Sequence, residues 1–327
     1  MNNEPAVRAE TAERVRAAAV ALDYSVNAAA RQLAGGRTRT LAMVVAGVTQ
    51  WQWTAELISG AAERAQERGY GLTPYMLQAY GEEGRARVLA LAARRGSDGL
   101  ILTTPWSEDR ALARELKRRG APAVLTPAAE GVDTLAVRVD EAAATERLTA
   151  HLLAFGHRRI AVVAGRRELE ITRQRVEGVR RALRAASLAL EPALTAYGEY
   201  SFRSGLQAAR RLLGGETRPT AIVALTDVLA AAVLRAAHEG GVAVPDALSV
   251  VGVGDLPLAE MVWPALTTAA VPSREMTARA VDLLIDAVEG GETAVREVVF
   301  DTRLVVRGSS GPVRTDAPRP GALPRRG

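Results

Sequence analysis

Three histidines, His151, His157 and His238, and the absence of any cysteine set narrow limits on the chemistry this chain can perform. Without a thiol there is no disulfide framework, no thiolate nucleophile and no cysteine-ligated metal. The histidines fall in no HExxH or other ligand spacing, and neither the GxSxG of a nucleophile elbow nor the GxxxxGK[ST] of a phosphate loop is present. One glycine pair, Gly252-Val253-Gly254, follows a strand-like run. It runs on into Asp255-Leu256-Pro257 with no third glycine and no helix start, so it reads as a turn and not as a dinucleotide cradle. His157, directly after Gly156, reads as a loop residue at a helix C-terminus, where partial positive charge is welcome. These residues predict a protein that is not an enzyme and that uses no metal and no cofactor.

The elements that would position any binding site are easier to read. From Leu41 onward, short apolar runs alternate with longer segments of helical periodicity, the pattern of a parallel α/β sheet. Strands are expected at 41–46, 72–77, 99–103, 123–125 and 135–139, with helices over 54–68 and 83–95 and another ending at Gly120. Gly69, Gly96 and Gly120 serve as C-terminal stops. A second set follows: a helix over 141–155 stopped by Gly156, the continuous apolar run Ile160-Ala161-Val162-Val163-Ala164, and helices over 172–186 and 202–213. Then come a strand at 221–225, a helix over 227–239, a strand at 249–253, a helix over 274–288 and a strand pair within 298–306. Continuous apolar strands suit a sheet covered on both faces. The expected fold class is therefore α/β, with two doubly wound parallel-sheet lobes and small-molecule clefts at the carboxyl ends of the strands.

The chain has 327 residues, 48% of them hydrophobic and 24% charged, which is enough for two domains with separate cores. The formal net charge of +5 says little about a nucleic-acid partner. Much of the excess lies in a Pro/Gly/Arg-rich tail where Arg314, Arg319, Arg325 and Arg326 face only Asp316. No apolar run approaches the roughly 20 residues needed to cross a bilayer. The polar start Met1-Asn2-Asn3-Glu4-Pro5 lacks the form of a secretory signal, so no membrane partner and a cytoplasmic location are expected.

Several stretches together resemble the lactose-repressor (LacI/GalR) family from Asn2 to about Gly308. They are Glu4 to Val15, Tyr24 to Ala34, Phe155-Gly156-His157-Arg158-Arg159-Ile160, and Gly252-Val253-Gly254-Asp255 followed by Pro264-Ala265-Leu266-Thr267-Thr268. The resemblance implies a periplasmic-binding-protein-like core at 41–307. Its first lobe would take about 41–140 and 272–297, and its second about 141–271 and 298–307. Residues 1–40 would be a helical remnant of a DNA-binding domain plus a hinge, and 308–327 a disordered tail. In the hinge, Leu33 would wedge into the minor groove, with Asn27, Ala28 and Arg31 near backbone or groove floor. Read without the family, the same stretch is an alanine-rich linker helix.

The resemblance also implies an effector site. Arg175, in Arg173-Gln174-Arg175-Val176-Glu177-Gly178, matches the family arginine that grips ligand oxygens, a task suited to a planar donor fork. Arg173, Thr103, Trp106 and Asp255 are further candidates. Tyr200 and Trp53 match aromatics that pack on sugar or base faces. Asp227 matches an acidic residue opening a helix, where N-capping alone would also explain it. Two positions depart from the family: Thr226 replaces a frequent asparagine, and Gly254 replaces the first of two aspartates. Both positions often touch effector hydroxyls.

The function implied is a transcriptional regulator, a repressor and homodimer, whose core binds a small effector, a sugar or nucleoside, and so controls operator DNA binding. The alternative is a stand-alone small-molecule binding protein. The helix beginning near Ala9 or Thr11 presents Val15, Ala18, Ala19 and Leu22 as an apolar stripe. In the family a preceding helix-turn-helix covers it. The chain as written is thus expected to bind operator weakly or not at all, through a misplaced start or a genuine truncation.

Overall fold

The computed structural model describes residues 9–21, 37–47, 51–94, 96–215, 217–291 and 296–314. An N-terminal helix, α1 (Ala9–Ala21), precedes the first strand, β1 (Thr40–Ala46), whose five central residues are buried. The units that follow are α2 (Trp51–Glu67), β2 (Gly71–Leu77), α3 (Gly81–Ala93), β3 (Gly99–Leu102), α4 (Arg110–Arg118), β4 (Ala123–Leu125) and β5 (Leu135–Val139). The second series runs α5 (Glu141–Ala154), β6 (Ile160–Ala164), α6 (Glu170–Ala185), β7 (Thr195–Tyr197), α7 (Phe202–Gly214), β8 (Ala221–Ala224) and α8 (Asp227–Glu239). It continues through β9 (Ser249–Gly254), α9 (Leu258–Met261), β10 (Thr267–Ala270), α10 (Ser273–Val288), β11 (Glu297–Phe300) and β12 (Arg303–Val305).

Two six-stranded sheets result, ordered β11-β5-β4-β3-β1-β2 and β12-β10-β9-β8-β6-β7. Every pairing in the first is parallel, and in the second only β10 with β12 is antiparallel. Strands such as Ile160–Ala164 and Ala221–Ala224 are buried throughout because helices cover both faces, so alternation would have been the wrong signal to seek. The stops expected at Gly69 and Gly156 take φ of +74° and +87°, which a side chain would resist.

The chain passes between lobes at Asp140, at Val271-Pro272 and at Asp301-Thr302, since α5 packs on the second sheet while α10 packs on α2 and the first sheet. The last of these crossings corrects the expected boundary: Glu297–Phe300 pairs in parallel with β5 of the first lobe, and only Arg303–Val305 joins the second. A boundary at 297/298 would have split a strand.

The expected disordered tail is also corrected over its first residues. The Ser309 hydroxyl donates to the Val250 carbonyl at 2.6 Å and accepts from the Thr267 amide at 2.8 Å, and Gly311 N donates to Ser249 Oγ at 3.0 Å. His157, expected as a loop residue at a helix C-terminus, is 2% exposed. Its Nε2 lies 3.0 Å from the Gly311 carbonyl, which can only accept, and its Nδ1 lies 3.0 Å from Thr220 Oγ1. Burial lowers its pKa, so it serves as a neutral bridge between strand ends and the tail. Residues 315–327 lie outside the described residues. Among the described residues no helix is long and apolar enough to cross a membrane.

Candidate functional site

In each sheet the chain order reverses beside the first strand of its lobe, at β1/β3 and at β6/β8, and the loops leaving those carboxyl ends face one another across the lobes. Trp53 on the first turn of α2, Pro127 after β4, Glu141 at the start of α5 and Arg175 in α6 meet there. Thr226, Gly254, Ser273 and Met276 also line this cavity, among apolar side chains such as Leu57 and Leu256. The enclosed volume is about 40 Å³. A water needs on the order of 10–15 Å³ by this measure, whereas ligand clefts run to several hundred. This space by itself is too small for a sugar-sized molecule, and it shares Gly254, Leu256, Val271 and Ser273 with a larger, open cavity of about 620 Å³.

Arg175 is 7% exposed and Glu141 5%. The arginine donates from Nε to Glu141 Oε2 at 2.7 Å and from Nη1 to the carbonyl of Leu225, the residue after β8. The fork therefore spans two elements of the second lobe and keeps its remaining N–H groups for other acceptors. Glu141 is a site residue that the sequence reading missed. The available signal was its place two residues past the strand 135–139, at a carboxyl end where such folds put ligand groups.

Asp227 is fully buried behind this wall. Thr268 Oγ1 donates to its Oδ1 at 2.6 Å and the Leu256 amide to its Oδ2 at 2.8 Å. The N-cap of α8 is Thr226, whose hydroxyl accepts from Leu229 N at 3.3 Å, so capping is not what Asp227 does. Burial pushes its carboxyl up to about 6, from the usual 3.8. A raised pKa means that the folded state binds the proton more tightly. The contribution to stability is present below about pH 4 and is lost as pH rises through 6. Asp227→Asn should flatten this dependence: wild type loses on the order of 3 kcal/mol relative to the variant between pH 4 and 7. Urea unfolding of both proteins across that range measures it, and parallel curves would contradict the assignment.

The other expected residues are more dispersed. Tyr200 is 7% exposed and shares a hydrogen bond with Thr172 Oγ1 at 2.8 Å, its ring lying against Gly165. It packs in the second-lobe core and does not line the small cavity. Thr103 is fully buried, and its hydroxyl is spent on the Val44 carbonyl at 2.9 Å. Trp106 is 3% exposed and stacks on Tyr80 at 6.0 Å. Its indole N–H has no hydrogen-bond partner among the described residues. Arg173 is exposed and pairs with Glu170 on its own helix. Asp255, at φ +56°, accepts from Arg307 Nη1 at 2.7 Å and lines the adjoining open cavity of about 620 Å³ with Glu56, Arg274 and Arg303. Of the expected set, Trp53 and Arg175 line the cleft together, with Asp227 behind them. Asn27, Ala28, Arg31 and Leu33 lie outside the described residues.

Two doubly wound lobes joined by three crossings, with an arginine at the cleft between them, define a periplasmic-binding-protein-like architecture. Residues 149–310 match the periplasmic binding protein-like domain family. The chain belongs to the LacI family of transcriptional regulators. It is 31% identical over 318 residues to the HTH-type transcriptional regulator CelR of Thermobifida fusca, covering 94% of this chain and 92% of that protein. It is 29% identical over 315 residues to the ribose operon repressor of Escherichia coli K12, covering 95% and 94%. A CelR-cellobiose complex superposes with a TM-score of 0.76 at 28% identity, over 94% of this chain and 93% of the other. The lac repressor dimer bound to operator and the anti-inducer ONPF superposes with a TM-score of 0.82 at 27% identity, over 93% and 91%.

Proposed function

We propose that this protein is a homodimeric transcriptional repressor whose cleft takes a small neutral effector, a carbohydrate or nucleoside, and couples its binding to operator affinity. The observation that carries this reading is Arg175, buried and lining the cavity between the lobes together with Trp53. A planar donor fork and an indole lining one cavity suit a ligand with both hydroxyls and an apolar face. The sugars bound in related structures, cellobiose in a CelR complex and ribose in an Enterococcus faecium LacI family regulator, support the carbohydrate class. Trp263 and Met261, 92% and 74% exposed beside one another at the end of α9, support a self-association surface. The hinge residues Asn27, Ala28, Arg31 and Leu33 are proposed as the DNA contacts. Thr103, Trp106, Arg173, Tyr200 and Asp255 remain proposals as effector contacts, with Tyr200 and Thr103 acting through the walls they support.

A thermal-shift screen of neutral mono- and disaccharides and nucleosides tests the reading. A binder at a hundred times its Kd should stabilise the protein by about 2.7 kcal/mol. The same compound should change operator affinity by the factor by which operator changes its own. No shift with any member of the panel would count against an effector of this class.

A further inference from the structure

The lobes are also joined at a place that no crossing segment occupies. After β3 the first lobe makes a short turn, Trp106–Glu108, and the carboxylate of Glu108 reaches the second lobe. There Oε2 accepts from the Glu170 amide at 2.8 Å and Oε1 from the Ile171 amide at 3.0 Å. These are the first two amides of α6. The residue before them, Leu169, has no side chain able to cap, so α6 lacks a cap from its own sequence and takes one from the other lobe. The fit is electrostatic as well as geometric, because a carboxylate at a helix N-terminus meets both orphan donors and the positive end of the dipole.

A second contact flanks the first. Arg166 of the second lobe sits over the ring of Tyr80 at 5.6 Å, and Tyr80 stacks on Trp106, two residues before Glu108. Trp106 and Ser107 are buried, which holds the turn, and with it the carboxylate, in one orientation. The helix gripped in this way carries Arg175, whose fork engages Glu141 and Leu225.

We propose that Glu108 is a positioning residue for the effector site: by capping α6 across the lobes it sets the closed arrangement of the cleft and the placement of Arg175 within it. Closure is then a property of the chain itself, and a ligand works against or with this clasp. The inference concerns the protein alone, so it stands or falls separately from the identity of the effector.

The test uses the absence of native cysteine. Ala86→Cys on α3 and Gln207→Cys on α7, both exposed, carry one spin label in each lobe. Electron–electron resonance of the full chain should give a single short distance. Glu108→Ala should lower the ratio of closed to open molecules at least tenfold and lengthen the distance, while helix content by circular dichroism stays the same. Glu108→Gln keeps one acceptor oxygen and should fall between the two. A helix cap of merely local value would change the melting temperature and leave the distance alone, which would overturn the proposal. Should the alanine variant not fold, the glutamine variant decides, and a wild-type distance distribution there sinks the idea.

Discussion

Arg175→Met should lower the free energy of unfolding by about 3–5 kcal/mol, because it leaves a buried carboxylate without its partner. Glu141 is 5% exposed and its Oε2 receives the arginine at 2.7 Å. Once the guanidinium is removed, the carboxylate either stays charged in a poorly solvating site or takes up a proton at the expense of stability at neutral pH. The Leu225 carbonyl loses a donor at the same time. The double variant Arg175→Met/Glu141→Gln should recover most of the loss, since a buried ion pair stabilises little against a neutral pair of similar size. Urea unfolding of the four proteins gives the coupling directly. A single-variant loss under about 1 kcal/mol would mean that the pair is solvated and the cleft open. The double variant, folded but without its fork, should no longer respond to any effector that shifts the wild type, which separates the binding role of Arg175 from its structural one.

Gly178→Ala should be nearly as damaging, although alanine is the better helix former by about 1 kcal/mol. A Cβ at this position would lie 2.0 Å from the Ala142 carbonyl oxygen and 2.2 Å from Thr145 Oγ1. These atoms belong to α5, so α5 and α6 must separate. The same contact holds the site together: Thr145 Oγ1 donates to the Arg175 carbonyl at 2.7 Å, and α5 opens with Glu141. Overpacking of this kind costs roughly 1–3 kcal/mol and occasionally more; with backbone as the obstacle, a net loss of about 3 kcal/mol is expected. Thermal and urea unfolding measure it. A gain in stability would show that the helix pair gives way freely.

What the sequence alone determined is what short-range patterns can carry. Continuous apolar runs such as Ile160–Ala164 marked covered strands, and the glycines at 69 and 156 marked helix ends, because periodicity and φ preference are local properties. The resemblance to the LacI family singled out Arg175, which lines the cavity between the lobes. The strands Thr195–Tyr197 and Thr267–Ala270 escaped notice because, unlike the equally short apolar run Ala123–Leu125, they carry threonines and form no continuous apolar run, and the neighbouring strands β6 and β9 supply their ladders. Tertiary structure alone decided the pairings that matter for the site. Glu141 lies 34 residues from Arg175, Asp227 lies 41 from Thr268, and Glu108 lies 62 from Glu170. A carboxylate looks the same in sequence whether it caps its own helix, neutralises a buried arginine or clasps another lobe. Only the burial around it and the donors brought to it by distant elements separate those roles.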